Sequence, residues 1–175
     1  DGKQDVSSLS KVKSIFTDTK GSVWIGSYFG GVSMWDPINS NFKSITRNNY
    51  KNSLQYNVVG SIVSDQKNKI YFGTEGGGIT CLNLTNGNTY VFSEDKEDGI
   101  VRDNVKSLYL TKDDKLWIGS FTQGISLVDL KTKKRIDYTI AEELRSLLRQ
   151  TGVYAIKSDG KNSIWFYSII VLIVI

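Results

Sequence analysis

The 175 residues contain no histidine and a single cysteine, Cys81. Histidine is the commonest general acid and base and the commonest metal ligand. Its absence excludes Ser-His-Asp and Cys-His nucleophilic centres. One thiol can form neither an internal disulfide nor a zinc cluster. Carboxylates recur at one place as Asp18, Asp65 and Asp159. A ring of acids could hold a metal, but the same residue type also opens turns by accepting backbone N–H bonds, and we read the three as turn residues. Gly76-Gly77-Gly78 has the composition of a phosphate loop. No helix is expected after it and no Lys-Ser/Thr stands at the required spacing, so it reads as a strand connector. The expectation is a protein without catalytic residues, metal or cofactor.

Aromatic rings are the other source of chemistry. Trp24, Trp117 and Trp165 could stack on a sugar, but each lies in a segment apolar on both faces, which predicts burial between layers. A second set stands in connecting segments: Tyr28, Phe29, Tyr50, Tyr56, Glu75, Phe121 and Gln123. Rings to stack on, with amide and carboxylate groups to meet hydroxyls, suit a carbohydrate. These residues differ from repeat to repeat, whereas the framework around them does not. They are the candidate ligand-binding residues. The bland alternative is that the rings cover sheet edges or touch another domain.

A repeat positions them. Trp24-Ile25-Gly26-Ser27 returns as Tyr71-Phe72-Gly73-Thr74 after 47 residues, as Trp117-Ile118-Gly119-Ser120 after 46, and as Trp165-Phe166-Tyr167-Ser168 after 48. Each repeat opens with a short strand: Val12-Lys13-Ser14-Ile15, Val59-Gly60-Ser61-Ile62, Val105-Lys106-Ser107-Leu108 and Val153-Tyr154-Ala155-Ile156. The third position is small every time, which predicts strands crowding about a common axis. Turn residues follow, Asp18 to Gly21 in the first copy, with the chemistry of a hairpin. The Trp-Ile-Gly strand comes next, and its Gly leaves room for a neighbouring backbone or large ring. A glycine-rich link leads to a third strand at residues 32–36, 79–83 and 125–129, and a weak fourth strand follows as the outer edge. Residues 141–150 carry Leu144, Leu147 and Leu148 on one face of a short helix that Gly152 can end.

Four antiparallel strands in about 46 residues match the period of a propeller blade. A β-sandwich gives no reason for four copies at one spacing. The expected fold is all-β: a single partial β-propeller array over residues 1–175, of about three and a half four-stranded blades near 9–46, 56–93, 102–139 and an incomplete 153–175, with one short helix. In such a blade the second-to-third-strand link and the blade-to-blade link emerge on one face, which collects the candidate binding residues. Net charge is +4, but the only dense basic run, Lys131 to Arg135, falls in an expected hairpin tip. Nucleic acid is therefore not an expected partner.

The pattern Val-x-x-Ile-x-x-Asp-x-x-Gly-x-Val-Trp-Ile-Gly-Ser-x-x-Gly-Gly-Val, met by residues 12–32, resembles the two-component regulator propeller repeat. The resemblance covers about 160 residues and three good copies. It implies the periplasmic sensor region of a membrane receptor, many of which are hybrid histidine kinases of gut Bacteroidetes that detect glycan fragments. It implies an oligosaccharide and the remaining receptor domains as partners, and a membrane reached only through segments outside this chain. A structural dimerisation module without a small ligand is the alternative. The fourth copy departs after Trp165, where Tyr167 to Ile173 replace Gly-Ser-x-x-Gly-Gly-Val. This apolar tail, at about a dozen residues with the strand before it, falls short of the ~20 a membrane-spanning helix needs. It is expected to reflect a fragment or an abnormal end, to pair as a strand, and with the open outer faces to favour self-association.

Overall fold

The computed structural model describes residues 11–48, 52–92, 104–161 and 163–175. They form four antiparallel sheets and one helix. The first sheet comprises β1 (Val12–Thr17), β2 (Val23–Ser27), β3 (Val32–Asp36) and β4 (Asn41–Ile45). The second has β5 (Val59–Ser64), β6 (Lys69–Thr74), β7 (Gly78–Asn83) and β8 (Thr89–Phe92). The third has β9 (Val105–Leu110), β10 (Lys115–Ser120), β11 (Ile125–Asp129) and β12 (Lys134–Ile136). After α1 (Glu142–Thr151) the fourth sheet has β13 (Ala155–Ser158), β14 (Ile164–Tyr167) and β15 (Leu172–Val174). Strand order in every sheet follows the sequence, so each is a meander and the weak fourth strands are edges.

The small third position of each first strand joins one sheet to the next. Ser14 Oγ donates to Val59 O in the following sheet, and Ser107 Oγ donates to Val153 O. Ser61 Oγ accepts from the backbone N of Leu108. First strands therefore stand side by side around an axis, with the other strands radiating outward, which is the propeller arrangement. The repeated Gly is needed at the same seam. A Cβ on Gly26 would lie 2.7 Å from Val59 O, and one on Gly119 would lie 2.8 Å from Val153 O. The backbone of the next blade is close at both positions, and the blade's own Ser14 or Ser107 Oγ is closer still, at 2.3 Å.

Apolar clusters fill each seam. Trp24 meets Phe72 at 5.9 Å between centroids, and Trp117 meets Phe166 at 5.2 Å. Tyr71 packs with Ile118 in the cluster between the second and third sheets. The first residue of the repeated segment thus interlocks with the second residue of the next copy. Trp24 and Trp117 are buried at 3% and 6% exposure, as the sequence predicts, but Trp165 is 42% exposed. The correction follows from the same rule: among the described residues no further blade covers the outer face of β14. Tyr167 stands there in place of Gly and is also exposed. The tail takes the third-strand position, with β15 paired to β14 through Trp165–Val174, Phe166–Ile173 and Tyr167–Leu172.

The recurring Asp residues are turn residues. Asp18 Oδ1 accepts from the backbone of Lys20 and Ser22, and its Oδ2 accepts from Trp24 Nε1. Asp65 Oδ1 accepts from residues 67, 68 and 69, and Asp159 Oδ1 from residues 161 and 163. No group of three or more potential metal ligands occurs among the described residues. Helix α1 buries Leu148 and ends at Gly152, whose N–H bonds Leu148 O. No helix among the described residues is long and apolar enough to cross a membrane.

Candidate functional site

The second position of the first strand is where the framework bends. In β1 the pairing runs Val12–Ser27 and then Ser14–Gly26, which leaves Lys13 unpaired. In β5 it runs Val59–Thr74 and then Ser61–Gly73, skipping Gly60. In β9 it runs Val105–Ser120 and then Ser107–Gly119, skipping Lys106. One extra residue in a strand makes a β-bulge, which bends the strand and re-aims a side chain. The first and third blades thereby turn a lysine out of their own ladders on the face where the second-to-third-strand links emerge, and the second blade places Gly60 there.

The residue after the repeated Ser or Thr meets the bulge from the other side. Tyr28 N bonds Lys11 O, Glu75 N bonds Val58 O, and Phe121 N bonds Asn104 O. These three link residues are equivalent, and so are Lys13, Gly60 and Lys106 on the first strands and Tyr154 just before β13. Together they form one strip across four blades. Lys13 Nζ lies 5.0 Å from the Tyr28 ring centroid and bonds the Glu75 carboxylate. Lys106 Nζ bonds the other Glu75 oxygen at 2.7 Å. The same ammonium lies 5.4 Å from the Phe121 centroid and 6.0 Å from that of Tyr154. Phe121 and Tyr154 stand edge to face at 6.4 Å. Gly60 stands beside Glu75: a Cβ there would lie 3.6 Å from Glu75 Oε1, an ordinary contact, and 3.2 Å from Val105 O.

One carboxylate therefore serves two ammonium groups. The Glu75 side chain is 14% exposed and the Lys106 side chain 17%. Burial raises the pKa of the Glu75 carboxyl, but the bonds from Lys106 and Lys13 outweigh it and hold the group below its ordinary value. Glu75 is ionised at neutral pH, and the triad has a net charge of about +1. The cation–π contacts add a second hold on each lysine.

Of the residues expected from the sequence, Tyr28, Glu75 and Phe121 meet in this strip. Phe29 joins its end, edge-on to Tyr28 at 4.6 Å and 66% exposed. Tyr56 lies over the neighbouring link, where a Cβ on Gly76 would be 3.5 Å from its ring. Gln123 is exposed, and its backbone N bonds Ser120 Oγ within the third blade's link. Tyr50 lies outside the described residues. Sequence reasoning missed Lys13, Lys106 and Tyr154. Their signal was present: the second position of the first strand reads Lys, Gly, Lys and Tyr between nearly constant neighbours.

Comparison with known proteins gives the fold a setting. No family model matches the chain. A curated protein of Formosa agariphila, Histidine kinase P4, is 41% identical over 162 residues, which is 93% of this chain. The chain spans only 12% of that protein's length. The extracellular domain of a hybrid two-component system from B. thetaiotaomicron superposes with a TM-score of 0.79 at 20% identity, over 93% of this chain and 22% of that one. A computationally designed protein, Ika4, superposes with a TM-score of 0.69 at 15% identity, over 95% of this chain and 91% of the design. At these identities the structures speak for the fold alone, and the sequence relative shows likeness to one stretch of a histidine kinase. The repeat pattern, the four radiating sheets and the 41% identity agree that this chain is a stretch of propeller repeats of the kind found in two-component histidine kinase receptors.

Proposed function

We propose that the chain is a non-catalytic sensor module, outside the cytoplasm, that recognises an oligosaccharide on the face bearing the Lys13–Glu75–Lys106 strip. The observation behind this reading is the continuous row of Tyr28, Lys13, Glu75, Lys106, Phe121 and Tyr154 across four blades. Rings stand at its two ends and charged hydrogen-bonding groups between them, which suits sugar rings that need faces to stack on and partners for their hydroxyls. Phosphotransfer to histidine is not a role of these residues, since the chain has none. In a receptor, binding would act by favouring one arrangement of the partner domains over another, to the extent of its differential affinity for the two. A screen of immobilised oligosaccharides against the chain and its Tyr28→Ala and Phe121→Ala variants tests the site. We expect each substitution to weaken binding about tenfold, as loss of a stacking ring does. Binding unchanged in both variants would remove the strip as the site.

A second reading rests on a different observation. The outer face of the first blade exposes Val12 and Ile15, and that of the fourth exposes Trp165, Tyr167, Leu172 and Val174. Uncovered apolar faces of repeat arrays seek neighbours. They support self-association or contact with other receptor domains, which light scattering over a concentration series would detect.

A further inference from the structure

The strip has a charge imbalance that narrows the ligand. Lys13 and Lys106 sit at equivalent bulges of the first and third blades, and both reach the single carboxylate of Glu75 from the blade between them. The second blade has Gly60 at its own bulge, so no third side chain from that position competes for the space. Each ammonium has three donors, and Glu75 provides one oxygen to each.

We propose that the strip binds an acidic oligosaccharide, whose carboxylate or sulfate competes with Glu75 for Lys13 and Lys106 while its sugar rings stack on Tyr28, Phe121 and Tyr154. This deepens the sensor reading and rests on it. Glu75 acts as an internal stand-in for the ligand anion: it keeps two partly buried ammonium groups oriented while the site is empty. An anion arriving between the lysines forms charge-assisted bonds with donors already held in place. A neutral sugar gains none of that attraction.

An array that places uronate-bearing and sulfated oligosaccharides beside neutral ones, and beside methyl-esterified forms of the same uronates, separates the possibilities. Three proteins are compared: the chain, Glu75→Gln, and the double variant Lys13→Gln/Lys106→Gln. The expected result is binding of the acidic sugars but not of the esterified or neutral ones, with affinity falling as salt is added. The double lysine variant should lose this binding. Glu75→Gln should tighten it, roughly tenfold, by removing the internal competitor. This gain guards against a loss caused merely by misfolding. Equal binding of acidic and esterified sugars, or acidic binding that Glu75→Gln leaves unchanged or weakens, overturns the proposal and leaves the oligosaccharide reading standing. Binding to none of the sugars overturns both.

Discussion

Phe29 is held at φ 153°, a backbone conformation that L residues rarely adopt, although its side chain is mostly in water. Its counterpart in the second blade is Gly76, at φ 125°. The link geometry therefore suits glycine, and the first blade places a large ring there. Strain at an exposed ring points toward a role in contact. Phe29→Gly should stabilise the fold by about 1 kcal/mol, as relief of one such residue does, while weakening ligand binding. Urea denaturation and a binding titration on one preparation check both halves, and lower stability with full binding would count against the idea. Glu75 makes a second prediction at this scale. Its folded pKa is depressed, so the stability its ion pairs give is present above the unfolded value of about 4.3 and is lost as pH falls through the folded pKa. Between about pH 6 and pH 3 the chain should lose more stability than Glu75→Gln does. Parallel loss in the two proteins would show that the triad does not couple to folding.

At the scale of the strand, the repeat logic was legible because it is one-dimensional. Val-x-Ser, Asp at the turn and Trp-Ile-Gly each recur at fixed intervals, and each has one structural duty. The Ser bonds the next blade, the Asp closes its turn, and the Gly admits the next blade's backbone. The bulge was not legible. Alternation along a strand assumes period two, and nothing in Val12-Lys13-Ser14 announces that Lys13 drops out of the ladder. Tyr28, Glu75 and Phe121 were found because links could be placed by topology. Lys13 and Lys106 were passed over because they lie within strands. The exposure of Trp165 was missed for another reason: a repeat pattern assigns the same surroundings to every copy, and the last copy has a neighbour on one side only. Gly119→Ala tests the seam. The added Cβ would meet Ser107 Oγ at 2.3 Å and Val153 O at 2.8 Å. Overpacking of this kind costs about 3 kcal/mol or prevents folding. A denaturation midpoint unchanged from that of the parent would mean that the blades are not held this closely.

At the scale of the molecule, the four blades are a framework for one shared face. The first three blades each contribute one bulge and one link, the fourth contributes Tyr154, and the row of first strands brings them into a strip that no blade possesses alone. The opposite face is made of short turns whose acids bond their own turns, as with Asp18 and Asp65, or neighbouring lysines, as with Asp113 and Asp114. The outer face of the fourth blade differs from the internal seams: a neighbour packed there as the inner blades pack would meet the Tyr167 ring where the others have glycine. The central claim is that ligand recognition belongs to the strip. The most direct measurement is amide NMR of the labelled chain during titration with an oligosaccharide that binds on the array. The account predicts that shifts concentrate at Lys13, Tyr28, Glu75, Lys106, Phe121 and Tyr154. Shifts concentrated instead at the turns 65–68 and 111–114, with the strip unmoved, would contradict it.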